Sequence, residues 1–73
     1  MRLIDTIRSD MFPSILVRVY RDPDLDEYVC RLFLNGRHQS DADAFDTDLV
    51  AALGTAGAMF DHATLAIEAR LSL

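Results

Sequence analysis

Residues 14–36 have the sequence SILVRVYRDPDLDEYVCRLFLNG, and this stretch decides the fold. Side-chain character alternates with a period of two in residues 14–21 and again in residues 27–34, which is typical of β-strands. The Asp22–Asp26 segment, with Pro23, predicts a turn between them. Asn35-Gly36 tolerates positive φ and predicts a second hairpin. We therefore expect a further antiparallel strand within residues 37–45. The face of this sheet expected in the core holds Ile15, Val17, Val19, Tyr28, Cys30, Leu32 and Leu34.

A helix is predicted after this sheet, with Asp46 or Thr47 as its cap. The apolar residues that follow have helical spacing and would lie on the main apolar face of the sheet. Gly54 and Gly57 each weaken such a helix by up to ~1 kcal/mol relative to Ala. Close packing of the helix on the sheet would explain both glycines. The expected contact residues are Leu49, Ala52, Leu53, Ala56, Met59, Phe60 and Ala63.

The two ends of the chain permit alternatives. Apolar residues at helical spacing in residues 2–11 predict a short helix that ends before Pro13, with a strand over residues 2–7 as the competing interpretation. Residues 64–73 alternate and predict a last strand, with a helix running from residue 47 to 70 as the alternative. We expect a single α+β domain over residues 1–73, with a three- to four-stranded antiparallel sheet, one main helix and the order α-β-β-β-α-β.

The second face of the predicted sheet is also partly apolar. It holds Leu16, Tyr20, Val29 and Phe33. We expect the N-terminal helix to cover it. The alternative is that this face contacts a partner or a second copy of the chain.

Composition indicates a folded, soluble domain. Of 73 residues, 51% are hydrophobic, too many for a disordered chain. No apolar run reaches the ~20 residues of a membrane helix, and the first ten residues are charged where a signal peptide is apolar. We expect a bacterial cytoplasmic protein without membrane contact. A single cysteine, Cys30, excludes an internal disulfide.

The net charge is −5, and it is concentrated in the middle of the chain. Residues 22–48 hold eight acids against Arg31 and Arg37. An acidic protein repels nucleic acid and membrane surfaces, so basic proteins are its expected partners. A compositional bias of a GC-rich genome is the competing explanation of the charge.

Patterns for metal binding and catalysis fail. Residues 22–26 begin like a calcium loop, but its sixth and twelfth places hold Glu27 and Phe33 instead of Gly and Glu. Asp46 and Asp48 favour a helix N-terminus. His38 and His62 have no nucleophile at a recognisable spacing, and Cys30 is expected to be an inert buried thiol. We expect no enzyme activity, no cofactor and no metal.

The remaining function class is binding through negative charge. Asp41 and Asp43 have no structural explanation, and in an extended chain they project from one side ~6.6 Å apart. Carboxylates in residues 22–27 and 41–48 can occupy a Lys/Arg groove in place of nucleic-acid phosphates. The residues expected to bind the partner are Asp22, Asp24, Asp26, Glu27, Asp41 and Asp43.

Two family resemblances accompany this interpretation. The short, acidic, α+β chain without a catalytic motif resembles phage anti-CRISPR proteins. This resemblance implies an inhibitor that binds a Cas effector subunit and blocks its recognition of target DNA as a DNA mimic. We expect a monomer, with a dimer as the alternative. Residues 28–33 (YVCRLF) and 45–56 (FDTDLVAALGTA) are similar to the strand and helix of HicB-type antitoxins. The chain lacks the Pro-Asp-Leu-Pro-Gly turn of that family. This second resemblance implies an antitoxin-like or assembly module that binds through its apolar sheet face.

Overall fold

The computed structural model describes residues 1–71, which form an α+β fold of one antiparallel sheet and one C-terminal helix. The sheet has the strand order β1-β2-β3-β4, and β5 also pairs with β3. All strands precede the helix, so the predicted order α-β-β-β-α-β is wrong. The elements are β1 (Arg2–Ile7), β2 (Ile15–Asp22), β3 (Glu27–Leu34), β4 (Arg37–His38), a 3-10 turn (Ser40–Ala42), β5 (Ala44–Asp46) and α1 (Leu49–Leu71).

The predicted central hairpin is confirmed. β2 and β3 pair without interruption from Ile15 opposite Leu34 to Asp22 opposite Glu27. At the second turn, Asn35 and Gly36 have φ values of 53° and 79°, the left-handed conformation expected of this dipeptide. The chain then returns along β3 as predicted, but in two pieces, because the 3-10 turn separates β4 from β5.

The N-terminal segment is a strand, so the predicted helix over residues 2–11 is wrong and the competing interpretation is correct. β1 pairs with β2, and a bulge at Ile4 separates the pairs Leu3–Tyr20 and Asp5–Val19. The bulge lets both Ile4 and Ile7 pack against the core, which reproduces part of a helical pattern. A helix this short is marginal in water, whereas pairing with β2 satisfies a row of backbone groups.

Helix α1 continues through the segment predicted as a last strand, so that prediction is wrong over residues 64–71 and the helical alternative is correct. Ser72 and Leu73, the end of the predicted strand, lie outside the described residues. Helix formers such as Ala, Leu, Glu and Arg dominate this segment, and propagating an existing helix costs little. Asp48 is the cap instead of Asp46 or Thr47: its Oδ2 accepts a hydrogen bond of 2.8 Å from the Ala51 N–H.

The core lies between α1 and one sheet face, as predicted. Its fully shielded residues are Val17, Val19, Cys30, Ala52 and Ala56. The two alanines let the helix approach the sheet, and the Cys30 thiol donates to the Ala52 carbonyl over 3.3 Å. Gly54 and Gly57 do not contribute to this approach, because a Cβ at either position meets no atom within 4 Å. Close packing is therefore the wrong explanation for the two glycines.

Helix α1 has apolar residues on nearly all sides. Ala52 and Ala56 face the sheet, whereas Val50 and Leu65, on the side away from the sheet, are exposed. With a mean hydropathy of 1.3 in its most apolar window, the helix is long and apolar enough to cross a membrane, a test that core helices of soluble proteins also pass. Among residues 1–71, α1 therefore presents a second surface without a covering element.

Candidate functional site

The face of the sheet opposite α1 is the strongest candidate for a binding site. The predicted N-terminal helix that was to cover it is absent, since residues 2–7 extend the sheet as β1, and no other element in residues 1–71 lies over it. We call this surface the open face. From the strand alternation and register, its members are Leu3, Thr6, Leu16, Arg18, Tyr20, Asp22, Glu27, Val29, Arg31, Phe33, His38 and Phe45.

Two arginines and two aromatic rings form the centre of the open face. The Arg18 guanidinium carbon lies 5.2 Å from the centroid of the Phe33 ring, and that of Arg31 lies 5.3 Å from the centroid of Tyr20. At these distances, cation–π attraction holds each guanidinium group against an aromatic ring of the sheet. The Nε atoms of both arginines are shielded from solvent and find no acceptor within residues 1–71.

Apolar side chains flank the arginines. Leu3 lies opposite Tyr20, and Phe45 lies opposite Val29. Leu3 is 50% exposed and Phe45 is 57% exposed, whereas Val29 between their strands is only 2% exposed. A buried centre with exposed apolar neighbours is the composition of a protein-binding surface.

The edge of the open face is fixed by His38. Its ring lies 5.4 Å from the Phe33 ring, and its Nε2 lies 2.7 Å from Asp43 Oδ1. This contact ties the segment after β4 to the sheet. Asp43, which we predicted to bind a partner, is thereby engaged within the chain, and only 17% of its side chain is exposed.

The predicted acidic residues of the β2–β3 turn have unequal roles. Asp22 Oδ1 accepts the backbone N–H groups of Asp24 and Leu25 at 3.0 and 3.4 Å, so this carboxylate shapes the turn. Asp26 forms an ion pair with Arg21, and its hydrogen bond is the main reason that the pKa of Arg21 is raised. Within residues 1–71, Asp24 and Glu27 form no ion pair.

Asp41 and Asp43 do not form the extended pair that the sequence suggested. Asp41 lies in the 3-10 turn and is exposed, while Asp43 follows that turn and points to His38. The neighbouring Ala44 pairs with Cys30, three residues or ~10 Å along β3 from Glu27. The six predicted residues therefore form two separate groups. Within residues 1–71, Asp24, Glu27 and Asp41 form no ion pair.

Residues suited to metal binding are not brought together in the described part of the chain. No group of three His, Cys, Asp or Glu side chains within residues 1–71 is close enough to hold a metal ion. Cys30 is fully shielded, and burial, followed by the charge of Asp46, raises the pKa of its thiol. A protonated buried thiol is a poor nucleophile.

A groove lies between α1 and β3, apart from the open face. This open groove of about 580 Å³ has a mainly apolar lining, with Thr55, His62 and Arg70 as its polar members. Its apolar lining residues include Leu32, Met59, Ala63 and Ile67. The sequence prediction missed it, because the groove requires the helix to continue past residue 63.

The sequence identified four members of the open face as apolar, but it missed the role of the arginines. Arg18 and Arg31 lie on the same predicted face as these apolar residues, but the sequence analysis assigned them no role. The sequence signal for them is that each is followed two residues later, on the same strand face, by an aromatic residue, as in VRVY and CRLF.

Comparison of the chain with protein-family models, with curated proteins and with solved structures gave no match.

Proposed function

We propose that this chain is a non-enzymatic interaction module that binds a protein partner through the open face. The observation that carries the proposal is the uncovered pairing of Arg18 and Arg31 with aromatic rings, next to the exposed Leu3 and Phe45. An apolar centre supplies the free energy of association, and two oriented guanidinium groups supply specificity for carboxylates. The partner surface is therefore apolar at its centre and acidic beside it.

The open face favours protein over nucleic acid as the ligand. Aromatic residues and arginines on an exposed sheet also occur in single-strand binding proteins. Here the face carries Asp22 and Glu27 at one end, and the net charge of the chain is −5. A phosphate backbone crossing this face meets carboxylates as well as arginines, which opposes its binding.

Affinity capture with matched variants tests this function. The tagged chain is compared with Phe45→Ser on the open face and with Val50→Ser on the outer side of α1, where the side chain is also exposed. We expect a protein bound by the wild type to be lost with Phe45→Ser and retained with Val50→Ser. An identical set of bound proteins for all three chains would contradict the proposal.

A second candidate function is the acidic inhibitor of a nucleic-acid-binding protein, such as a Cas effector subunit. It is favoured by the exposed carboxylates of Asp24 and Asp41, which form no ion pair within residues 1–71. They are the appropriate test residues, because reversing Asp43 also removes the contact with His38.

The two candidates differ in their dependence on salt and on these aspartates. For the acidic inhibitor, Asp24→Arg with Asp41→Arg abolishes binding to a basic partner, and added salt releases it. For binding through the open face, the same double variant retains the partner. Retention of a Cas effector subunit by the double variant at high salt would exclude the inhibitor mechanism.

A further inference from the structure

The open face carries its charges in an ordered sequence along the strands. On β2 and β3 the row of Arg18 and Arg31 is followed by the row of Tyr20 and Val29, and then by the row of Asp22 and Glu27. Successive rows on one face are ~6.6 Å apart. By backbone position, the two arginines therefore lie on one side of an apolar row and the two acids on the other, and the Arg31 guanidinium leans toward that row over the Tyr20 ring.

We propose that the partner on the open face is a second copy of this chain, which is a deeper form of the function proposed above and rests on it. A two-fold axis that runs across the strands, through the row of Tyr20 and Val29, brings two open faces together. This operation exchanges the flanking rows. Arg18 of each copy then faces Asp22 of the other, and Arg31 faces Glu27.

The charge pattern selects this axis over the alternative. A two-fold axis parallel to the strands leaves each row opposite itself, so Arg18 and Arg31 of one copy would face the arginines of the other. Like charges in contact oppose association, whereas the axis across the strands gives opposite charges at both flanks. The face is thus complementary to itself in one orientation.

The atoms available at the two flanks suit this pairing. The terminal nitrogens of Arg18 and Arg31 are held in place by the rings beneath them, so little side-chain freedom is lost on binding. Asp22 uses Oδ1 for the turn, which leaves Oδ2 for a partner. Glu27 forms no ion pair within residues 1–71.

The ends of the two faces also correspond. The row before Arg18 contains Leu16 and Phe33, and the end beyond Asp22 is the turn with Leu25, which is 64% exposed. The two-fold axis brings this turn to the level of the partner's Leu16 and Phe33. The twelve members of the open face, each occupying ~6.6 by ~4.8 Å of the sheet, cover about 400 Å² on each copy. An interface of this size is small, and we expect a reversible dimer with a Kd on the order of 10–100 µM.

Sedimentation equilibrium of the full chain tests the dimer. From a mass of 8.2 kDa at low concentration, the wild type should approach twice that value as its concentration rises. Arg31→Glu and Glu27→Arg each place like charges at one flank and should weaken the dimer at least ~10-fold. The double variant Arg31→Glu with Glu27→Arg exchanges the two charges and should restore association, while far-ultraviolet circular dichroism verifies the fold of each variant.

Several results would overturn the proposal. A wild type that remains monomeric over the whole concentration range excludes the dimer. The proposed contact is also excluded if either single variant associates as strongly as the wild type, or if the double variant does not restore association. Binding of a single-stranded oligonucleotide by a monomeric chain would assign Arg18 and Arg31 to phosphates. If the chain is monomeric but Phe45→Ser still loses a captured protein, the dimer fails and the binding function stands.

Discussion

Arg18 and Arg31 are direct neighbours across β2 and β3, and each guanidinium lies over an aromatic ring on the other's strand. Like charges directly opposite each other in a sheet are unfavourable. Within residues 1–71, neither Arg18 nor Arg31 forms an ion pair that would offset this repulsion. Binding of an acidic group of a partner would explain why the two arginines lie side by side.

We predict that Arg18→Gln separates stability from binding. The substitution removes both the like-charge repulsion and the contact with Phe33, so the free energy of unfolding should change by less than about 0.5 kcal/mol. Self-association should weaken at least ~10-fold. Urea unfolding at low concentration and sedimentation measure the two quantities. Arg37→Gln on β4 is the matched control and should alter neither. A loss of stability above about 2 kcal/mol would show that Arg18 acts within the fold.

Alanine at Gly54 or Gly57 should stabilise the chain. Both positions are helical, and an added Cβ meets no atom within 4 Å at either. Each substitution should therefore raise the free energy of unfolding by up to ~1 kcal/mol, measured by urea titration. Gly36→Ala is the control with the opposite sign, because its φ of 79° strains any L side chain. Destabilisation by Gly54→Ala would mean that a further packing contact occupies this position.

The core contact between helix and sheet should reject larger side chains. Ala56 is fully shielded against the sheet, whereas Ala58, two residues on, is exposed. Ala56→Leu should lower the free energy of unfolding by ~1–3 kcal/mol through overpacking. Ala58→Leu should change it by less than about 0.5 kcal/mol. Thermal unfolding of the two variants compares them, and equal stability would contradict the packing of α1 described above.

Cys30 should make stability fall at alkaline pH. Burial raises the pKa of its thiol above the ordinary value of 9.0, so the native state holds the proton more tightly than the unfolded chain. The free energy of unfolding is then unaffected below that value and decreases above it, by at most ~1.4 kcal/mol per pH unit. Urea titrations from neutral pH to pH ~10.5 measure this decrease.

Cys30→Ser supplies the reference for this pH dependence. The serine hydroxyl does not titrate in this range and is placed to donate to the Ala52 carbonyl, as the thiol does. The difference in stability between wild type and variant should therefore shift in favour of the variant as pH rises past 9.0. A difference that is constant with pH would show that the thiol is accessible to solvent in the native state.

The sequence predicted the central hairpin and the division of its residues between two faces, because both follow from alternation and from turn residues at defined positions. It did not predict the two ends. Ile4 and Ile7 are three residues apart, which is a helical spacing, and a bulge lets both reach the core from a strand; only the pairing with β2 reveals this bulge. Leu65 and Ile67 alternate by coincidence within a continuing helix. In both segments the contacts with the rest of the chain decided between two patterns.

The open face could be predicted in part. Its apolar members Leu16, Tyr20, Val29 and Phe33 followed from the strand period, and a contact surface was the alternative to the expected cover by an N-terminal helix. The error about its cover followed from the error about β1. The aspartates received weight by their number, but their hydrogen bonds depend on geometry: Asp22 and Asp26 serve the turn, and Asp43 binds His38. Counting charges does not distinguish such residues from exposed ones.

The most direct test of the account is an isotope-filtered NOE experiment on a mixture of labelled and unlabelled chains at high concentration. It detects contacts between copies only. We expect cross-peaks from the Leu3 methyl groups of one copy to the Tyr20 ring of the other, since both residues lie in the central row and Leu3 is 50% exposed. Cross-peaks confined to Val50 and Leu65 would instead place the contact on the outer side of α1 and contradict the assignment of the open face.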